Sequence, residues 1–288
     1  MRTFKLTIAY DGARYCGWQR QIDRPTVQGA LEATLKRVGA KEPKTLASGR
    51  TDAGVHALGQ VVGVRVETSL PADALHRALN AQLPPDIAVL ELDEVDATFH
   101  PISDAVRKRY RYLIHDGAVR PVLCRDYCWH YRFGRLDAAA MRRAAERLLG
   151  RHDFQSYASR GSEPKTTVRT LIRLNVQRKT TLAEPLELVA TDDRASRNDA
   201  NGADEAAGAG EGRAGHEATA DGDWIIVEAE ADGFLYNMVR ALVGSLVEVG
   251  RGARPETWPR EVLEARDRCR AGPNAPPQGL FLVKVWYR

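Results

Sequence analysis

A chain of 288 residues, 43% of them apolar, can bury one large core or two moderate ones, and it holds no apolar run near the roughly 18 residues of a membrane span. Its four cysteines, Cys16, Cys124, Cys128 and Cys269, make no Cys-x-x-Cys pair and have no histidine at zinc spacing, which excludes the common metal and disulfide frameworks and points to reduced thiols in the cytoplasm. The formal charge of +4 is uneven: residues 191–221 carry eight acids and three bases, a net of −5, so the other 257 residues carry +9, mostly as arginine, which points to a polyanionic partner.

At the N-terminus Phe4, Leu6, Ile8 and Tyr10 alternate with Lys5, Thr7 and Ala9, the period of a strand and not of a secretion signal. Beyond Asp11-Gly12, Thr26 is placed to cap a helix in which Val27, Leu31, Leu35 and Val38 recur at helical spacing. Residues 48–62 then set a carboxylate, Asp52, in a loop bracketed by Gly49 and Gly54, residues without a Cβ that permit sharp turns and close approach to a ligand. From Gln60 to Glu67, Val62, Val64 and Val66 alternate with Val61, Gly63 and Arg65, a half-buried strand that would hold this loop rigidly. Pro71 fits the first turn of a helix to about Leu83, Ile87 to Leu92 reads as a short strand, and residues 93–105 form a connector.

In the second half Tyr110, Tyr112 and Ile114 alternate with Arg109, Arg111 and Leu113, and Asp137 caps a helix whose Met141, Ala145 and Leu148 face inward. Arg169 to Val176 and Trp224 to Glu230 are strands on either side of the acidic segment, which lacks aromatic and large aliphatic side chains and cannot bury a core. Residues 191–221 are therefore expected to be a disordered insertion in a hairpin, outside the path of an anionic partner. A helix from about Leu235 to Val249, another near Arg260 to Cys269 and a strand from Leu280 to Trp286 complete the chain. This order of short strands and helices predicts an α+β layer structure, mainly antiparallel, in two halves, residues 1–104 and 105–288, around a basic cleft.

The chemistry is expected where these elements place unlike charges together. The helix of residues 235–249 is apolar almost all round, so Arg240, read as sitting in its middle, needs an anion from elsewhere. Within that helix the acid is Glu248, about 12 Å away along the axis. A carboxylate on a glycine loop or a substrate phosphate would serve. The stretch Arg107-Lys108-Arg109-Tyr110-Arg111-Tyr112 interleaves cations with rings, the means of holding an unstacked base beside a phosphate backbone. Arg50, two residues before Asp52, joins the residues expected to bind substrate. His56 is assigned no chemistry, and Gly208-x-Gly210-x-Gly212 signals flexibility and not a phosphate loop.

These residues resemble the tRNA pseudouridine synthase A family. The likeness rests on Tyr15-Cys16-Gly17-Trp18-Gln19-Arg20-Gln21, Thr26-Val27-Gln28, Gly49-Arg50-Thr51-Asp52-Ala53-Gly54-Val55-His56, Asn80-Ala81-Gln82-Leu83-Pro84, Arg109-Tyr110-Arg111-Tyr112, Asp153-Phe154, Phe234-Leu235-Tyr236-Asn237-Met238-Val239-Arg240 and Ala275-Pro276-Pro277-Gln278-Gly279-Leu280. It implies an enzyme that isomerises uridines at positions 38 to 40 of the tRNA anticodon arm, breaking the N-glycosidic bond and rejoining the ribose to carbon 5, without metal or cofactor, as a homodimer. It also implies that Asp52 is the catalytic aspartate, Tyr110 the ring that stacks on the everted uracil and Arg240 the arginine paired with Asp52. Asp52, kept ionised by Arg240, would act as nucleophile or base; ring addition, anomeric attack and abstraction of the ribose 2′-proton stay open. Family members usually carry an arginine two residues after a Phe-His pair, where this chain has Phe99-His100-Pro101-Ile102, and Arg14, Arg107 and Lys108 are the cations available in its place.

Two other readings use the same residues. A non-catalytic tRNA-binding or folding module would need the basic cleft and the rings but not Asp52. A glycoside or nucleoside hydrolase would pair two carboxylates, and no second acid stands near the first in sequence.

Overall fold

The computed structural model describes residues 1–159, 165–180 and 223–288, and the acidic segment 191–221 lies outside them. Ten strands share one sheet: β1 (Arg2–Tyr10), β2 (Lys41–Ala47), β3 (His56–Glu67), β4 (Ile87–Val95), β5 (Ala105–His115), β6 (Trp129–His130), β7 (Gly150–Asp153), β8 (Val168–Lys179), β9 (Trp224–Ala231) and β10 (Leu280–Tyr287). The order is β4-β1-β3-β10-β5-β9-β8-β7, with β2 also on β3 and β6 also on β5. Pairing is antiparallel except for β3 with β10 and β5 with β6. Five α-helices accompany the sheet among the described residues: α1 (Val27–Arg37), α2 (Ala72–Gln82), α3 (Ala138–Glu146), α4 (Met238–Gly250) and α5 (Trp258–Ala265). The α+β class and the mainly antiparallel sheet expected from the sequence are both present.

Local chemistry sets the boundaries. The Thr26 hydroxyl accepts from the Gly29 amide at 3.2 Å and Asp137 from the Ala140 amide at 2.9 Å, each satisfying an amide in the first turn of α1 or α3. Pro71 stands one residue earlier than expected, outside α2 as its N-cap. Helix α4 begins three residues later than expected: Asn237 takes a left-handed conformation, φ 59°, which turns Phe234 to Tyr236 away from the helix axis. At the other end of the domain α5 stops at Ala265, because Arg266 also has a positive φ of 52°, so the segment to Cys269 is a separate short turn.

Strand β3 is buried on both faces for most of its length, and the expected alternation appears only at its end, where Arg65 and Glu67 are exposed around Val66. Its second face is covered by the connector after β4, through buried Pro101 and partly buried Phe99, a tertiary effect invisible in the strand's own pattern. The main core joins Phe4, Leu6, Leu31, Leu35, Leu75 and Leu79 from the first half to Tyr112, Met141, Leu242 and Leu246 from the second. A smaller cluster of Leu113, Cys128, Trp224, Ile226 and Phe281 holds the opposite face of β5 and β9.

One detail of register places the loop of interest. Strand β2 ends at Ala47 opposite Val62, whereas β10 meets β3 only at His56 and Ala57. Residues 48–55 leave the sheet in the interval where one neighbour of β3 gives way to the other, close to the middle of the strand order. Helix α4 reaches the same region because Gly244 lets it lie against the chain at Pro273: a Cβ there would stand 1.7 Å from the Pro273 oxygen. Gly244→Ala is expected to cost about 1–3 kcal/mol by overpacking. Thermal unfolding checks this, and an unchanged midpoint would mean that residues 272–275 yield freely.

Candidate active site

The loop carrying Asp52 is pinned on both sides. Ser48 donates to Gln60 Oε1 at 2.8 Å, and Gln60 Nε2 donates to the Gly49 carbonyl at 2.7 Å. The hydroxyls of Thr51 and Tyr10 meet at 2.7 Å, and burial pushes the Tyr10 phenol up to about 12, so it stays protonated there. The Thr51 carbonyl accepts from the Trp18 amide at 3.0 Å and that of Asp52 from the Val55 amide at 3.1 Å. Gly54 completes the turn with φ 77°, a conformation that favours glycine. Gly49 serves differently: its φ is not positive, but a Cβ on it would stand 3.2 Å from Lys108 Nζ and 4.0 Å from Tyr110 Oη.

Asp52 is thereby presented to Arg240. One guanidinium nitrogen of Arg240 lies 3.2 Å from Asp52 Oδ2 and 2.8 Å from Asn237 Oδ1, while its Nε donates to the Ala275 carbonyl at 2.7 Å. The arginine does not sit in the middle of its helix as the sequence suggested; it is the third residue of α4, in the first turn, so the positive end of the helix dipole stands with it. Glu248 pairs instead with Arg251 at 2.6 Å. The Asp52 side chain is 24% exposed and that of Arg240 16%. Burial pushes the Asp52 carboxyl above its ordinary pKa, and Arg240 opposes that shift without cancelling it. The guanidinium limits the desolvation of the carboxylate and does not bring it below the usual range.

Tyr110 borders the same space. Its ring meets Phe234 edge-on at 5.1 Å between centroids, and burial, then Tyr10 and Asp52, raise its phenol well above the ordinary value. Its hydroxyl lies against the Asp52 loop, 4.0 Å from where a Cβ on Gly49 would stand. The expected partnership of Tyr110 with the arginines of its strand does not occur. Alternation sends Arg107, Arg109 and Arg111 to the other face, where Arg107 and Arg109 hold Glu230 at 2.7 and 2.8 Å and Arg111 holds Glu228 at 2.6 Å. Arg107 also lies 4.1 Å over the Trp286 ring. Arg50 is exposed and, among the described residues, has no side-chain hydrogen bond or ion pair, so no contact draws it to the Asp52–Arg240 pair.

His56 is a satisfied core histidine. Its Nδ1 lies 3.0 Å from the Gly12 amide and its Nε2 3.0 Å from the Asp126 carbonyl, it stacks on Phe281, and burial lowers its pKa, which keeps the ring neutral. Ile102 is half exposed in a turn held by His100 and Asp104. The supports Gln60, Asn237 and the Ala275 carbonyl went unassigned in the sequence. Gln60, a polar residue with apolar neighbours in a strand, carried a usable signal; a backbone carbonyl carries none. Among the described residues no group of His, Cys, Asp and Glu could hold a metal ion, and no helix is long and apolar enough to cross a membrane.

An ionisable carboxylate in a partly desolvated pocket, with one guanidinium against it and an aromatic ring alongside, is a site for nucleophilic or base chemistry on a flat substrate. The family model described as tRNA pseudouridine synthase matches residues 6–102 and 144–288, stretches that contain Asp52 and Arg240 and flank Tyr110. The chain is similar to tRNA pseudouridine synthase A of Moorella thermoacetica, 40% identical over 290 residues, and of Thermoanaerobacter sp. (strain X514), 36% over 287, with 100% of each chain covered. It is also similar to tRNA pseudouridine synthase A of Myxococcus xanthus, 39% identical over 288 residues, covering all of this chain and 93% of that one. The chain belongs to the tRNA pseudouridine synthase A family, a class of isomerases that convert uridine in tRNA to pseudouridine. That membership sets aside the non-catalytic and hydrolytic readings.

Proposed function

We propose that this enzyme isomerises uridines at positions 38 to 40 of the tRNA anticodon stem-loop, with Asp52 as the catalytic group, Arg240 as its partner, Tyr110 as the ring on which the everted uracil stacks, and Arg50 in contact with the RNA. The observation that carries this reading is the 3.2 Å approach of Arg240 to Asp52 across two distant parts of the chain, beside the Tyr110 ring. A base in a stem must leave its stack before its glycosidic bond can be reached. A ring at the pocket wall then retains it, and Asp52, whose carboxyl is a stronger base than an exposed aspartate, acts as nucleophile or base. The bond from ribose C1′ to N1 breaks, one from C1′ to C5 forms, and the C5 proton leaves as N1 gains one, so no outside oxidant or reductant enters.

In this reading residues 1–104 supply the carboxylate and residues 105–288 the ring and the guanidinium, with tRNA entering between them, in the cytoplasm. Sequence likeness supports a homodimer, which sedimentation would register as twice the chain mass. Mapping pseudouridine in an unmodified tRNA transcript after incubation with purified protein tests the position. Signals at 38 to 40 are expected, and modification confined to other arms would overturn the assignment. Tyr110→Phe separates stacking from proton transfer. It should leave tRNA affinity within about threefold, because the ring remains, and lower kcat by about a hundredfold, the scale of a lost general acid or base. Full turnover would confine Tyr110 to stacking.

A further inference from the structure

Lys108 is a cation the chemistry above does not use. It lies on the face of β5 that carries Tyr110, and its Nζ donates to the Ser48 carbonyl at 2.5 Å. An ammonium has three N–H donors, and this is the one hydrogen bond Lys108 makes among the described residues. Burial, and after it the charge of Arg169 at the start of β8, work against the Lys108 charge. The Arg169 side chain lies against Gly233, whose Cβ would come within 3.4 Å of its Nε, next to the Phe234 ring that abuts Tyr110. It spends donors on the carbonyls of Thr166 and Val168 at 2.9 and 2.7 Å. Neither cation meets a carboxylate among the described residues, in contrast to Arg107, Arg109, Arg111 and Arg240. Two like charges half-buried without an acid between them call for an anion. Neutral uracil cannot supply that charge; the RNA backbone can.

We propose that Lys108 and Arg169 together bind a phosphate of the RNA strand next to the everted uridine, fixing the nucleotide between the Asp52 loop and the Tyr110 ring. This rests on the reading that the base is everted onto Tyr110. The same geometry places the ammonium beside the Asp52 loop, since a Cβ on Gly49 would stand 3.2 Å from Lys108 Nζ. It also selects among the cations available where Ile102 replaces an arginine: Arg107 is committed to Glu230 and Trp286, whereas Lys108 faces the pocket. Burial, then Arg169, push the Lys108 amine down to about 8, so its charge is present below that pH and is lost as pH rises through it. The phenol beside it, Tyr110, is pushed up and stays neutral through that range, and Asp52 can be removed by substitution.

The test is the salt dependence of tRNA binding by the Asp52→Ala protein, which holds substrate without converting it. One phosphate contact contributes about 0.7–0.9 to the slope of log K against log salt. Lys108→Met is expected to flatten the slope by that amount and weaken binding about tenfold at about 0.1 M salt, while Lys108→Arg restores the slope. An unchanged slope would overturn the proposal and leave Lys108 as a prop for the Ser48 carbonyl. Should Lys108→Met fail to fold, Arg169→Met is measured in the same way. Its slope should flatten by the same amount, and an unchanged slope would again overturn the proposal. Pseudouridine mapping is independent of this readout: a flattened slope with modification outside positions 38 to 40 would refute the positional reading and leave the phosphate site standing.

Discussion

Replacing Asp52 with alanine is expected to lower pseudouridine formation by at least about four orders of magnitude while leaving tRNA affinity within about tenfold, since in the proposed mechanism the carboxylate makes and breaks bonds and holds no phosphate. Folding should not suffer. The loop is held by Ser48, Gln60, Tyr10, Thr51 and Trp18 and not by the Asp52 side chain, and Arg240 keeps its bonds to Asn237 and Ala275. The sign of the pKa shift goes further. A carboxyl whose pKa is raised by folding adds stability below its unfolded pKa and forfeits it as pH rises through the folded one, so at neutral pH ionised Asp52 is held at a cost. The variant should therefore melt at the same temperature as the parent or higher. Normal turnover in the variant would refute the assignment, and a large drop in melting temperature would recast Asp52 as a structural residue.

Arg240→Ala is expected to injure both activity and stability. It removes the one cation that opposes the desolvation of Asp52, so the acid limb of the pH–rate profile should move to higher pH. It also removes hydrogen bonds to the Ala275 carbonyl and Asn237 Oδ1, which join α4 to the chain before β10. Their loss should cost about 2–3 kcal/mol, a fall of several degrees in melting temperature for a chain of this size. Arg240→Lys keeps the charge but not the fork, and should recover the pH profile more fully than the melting temperature. A pH profile that does not move in either variant would disprove the electrostatic role of the pair.

Much of this was legible in the sequence because local rules and tertiary structure agree. The caps at Thr26 and Asp137, the strand of Phe4 to Tyr10 and the alternation of Tyr110 and Tyr112 all occur as read. The errors lie where distant segments intervene. Strand β2, Lys-Glu-Pro-Lys-Thr-Leu-Ala, went unread because proline and charge mark it as an edge, and it exists through its pairing with β3. The two-sided burial of β3 depends on Phe99 and Pro101, beyond the reach of any pattern within the strand. The site divides the same way. The apolar pattern around Arg240 demanded an anion for it, but that Arg109 and Arg111 would be consumed by Glu228 and Glu230 required the register of β5 against β9, in which Arg109 faces Glu230 and Arg111 faces Glu228.

Strand β10 carries a kinetic consequence. It separates β3 from β5, and through Phe281 opposite His56 it pairs residues more than two hundred positions apart. On a ribosome the Asp52 loop emerges long before β10 has been made, and the hydrogen-bonding edge it needs stays vacant for most of translation. Contacts of such separation form late and slowly. The first residues after the Asp52 loop, His56 and Ala57, therefore gain their β10 neighbour only when Phe281 and Leu282 have paired with them.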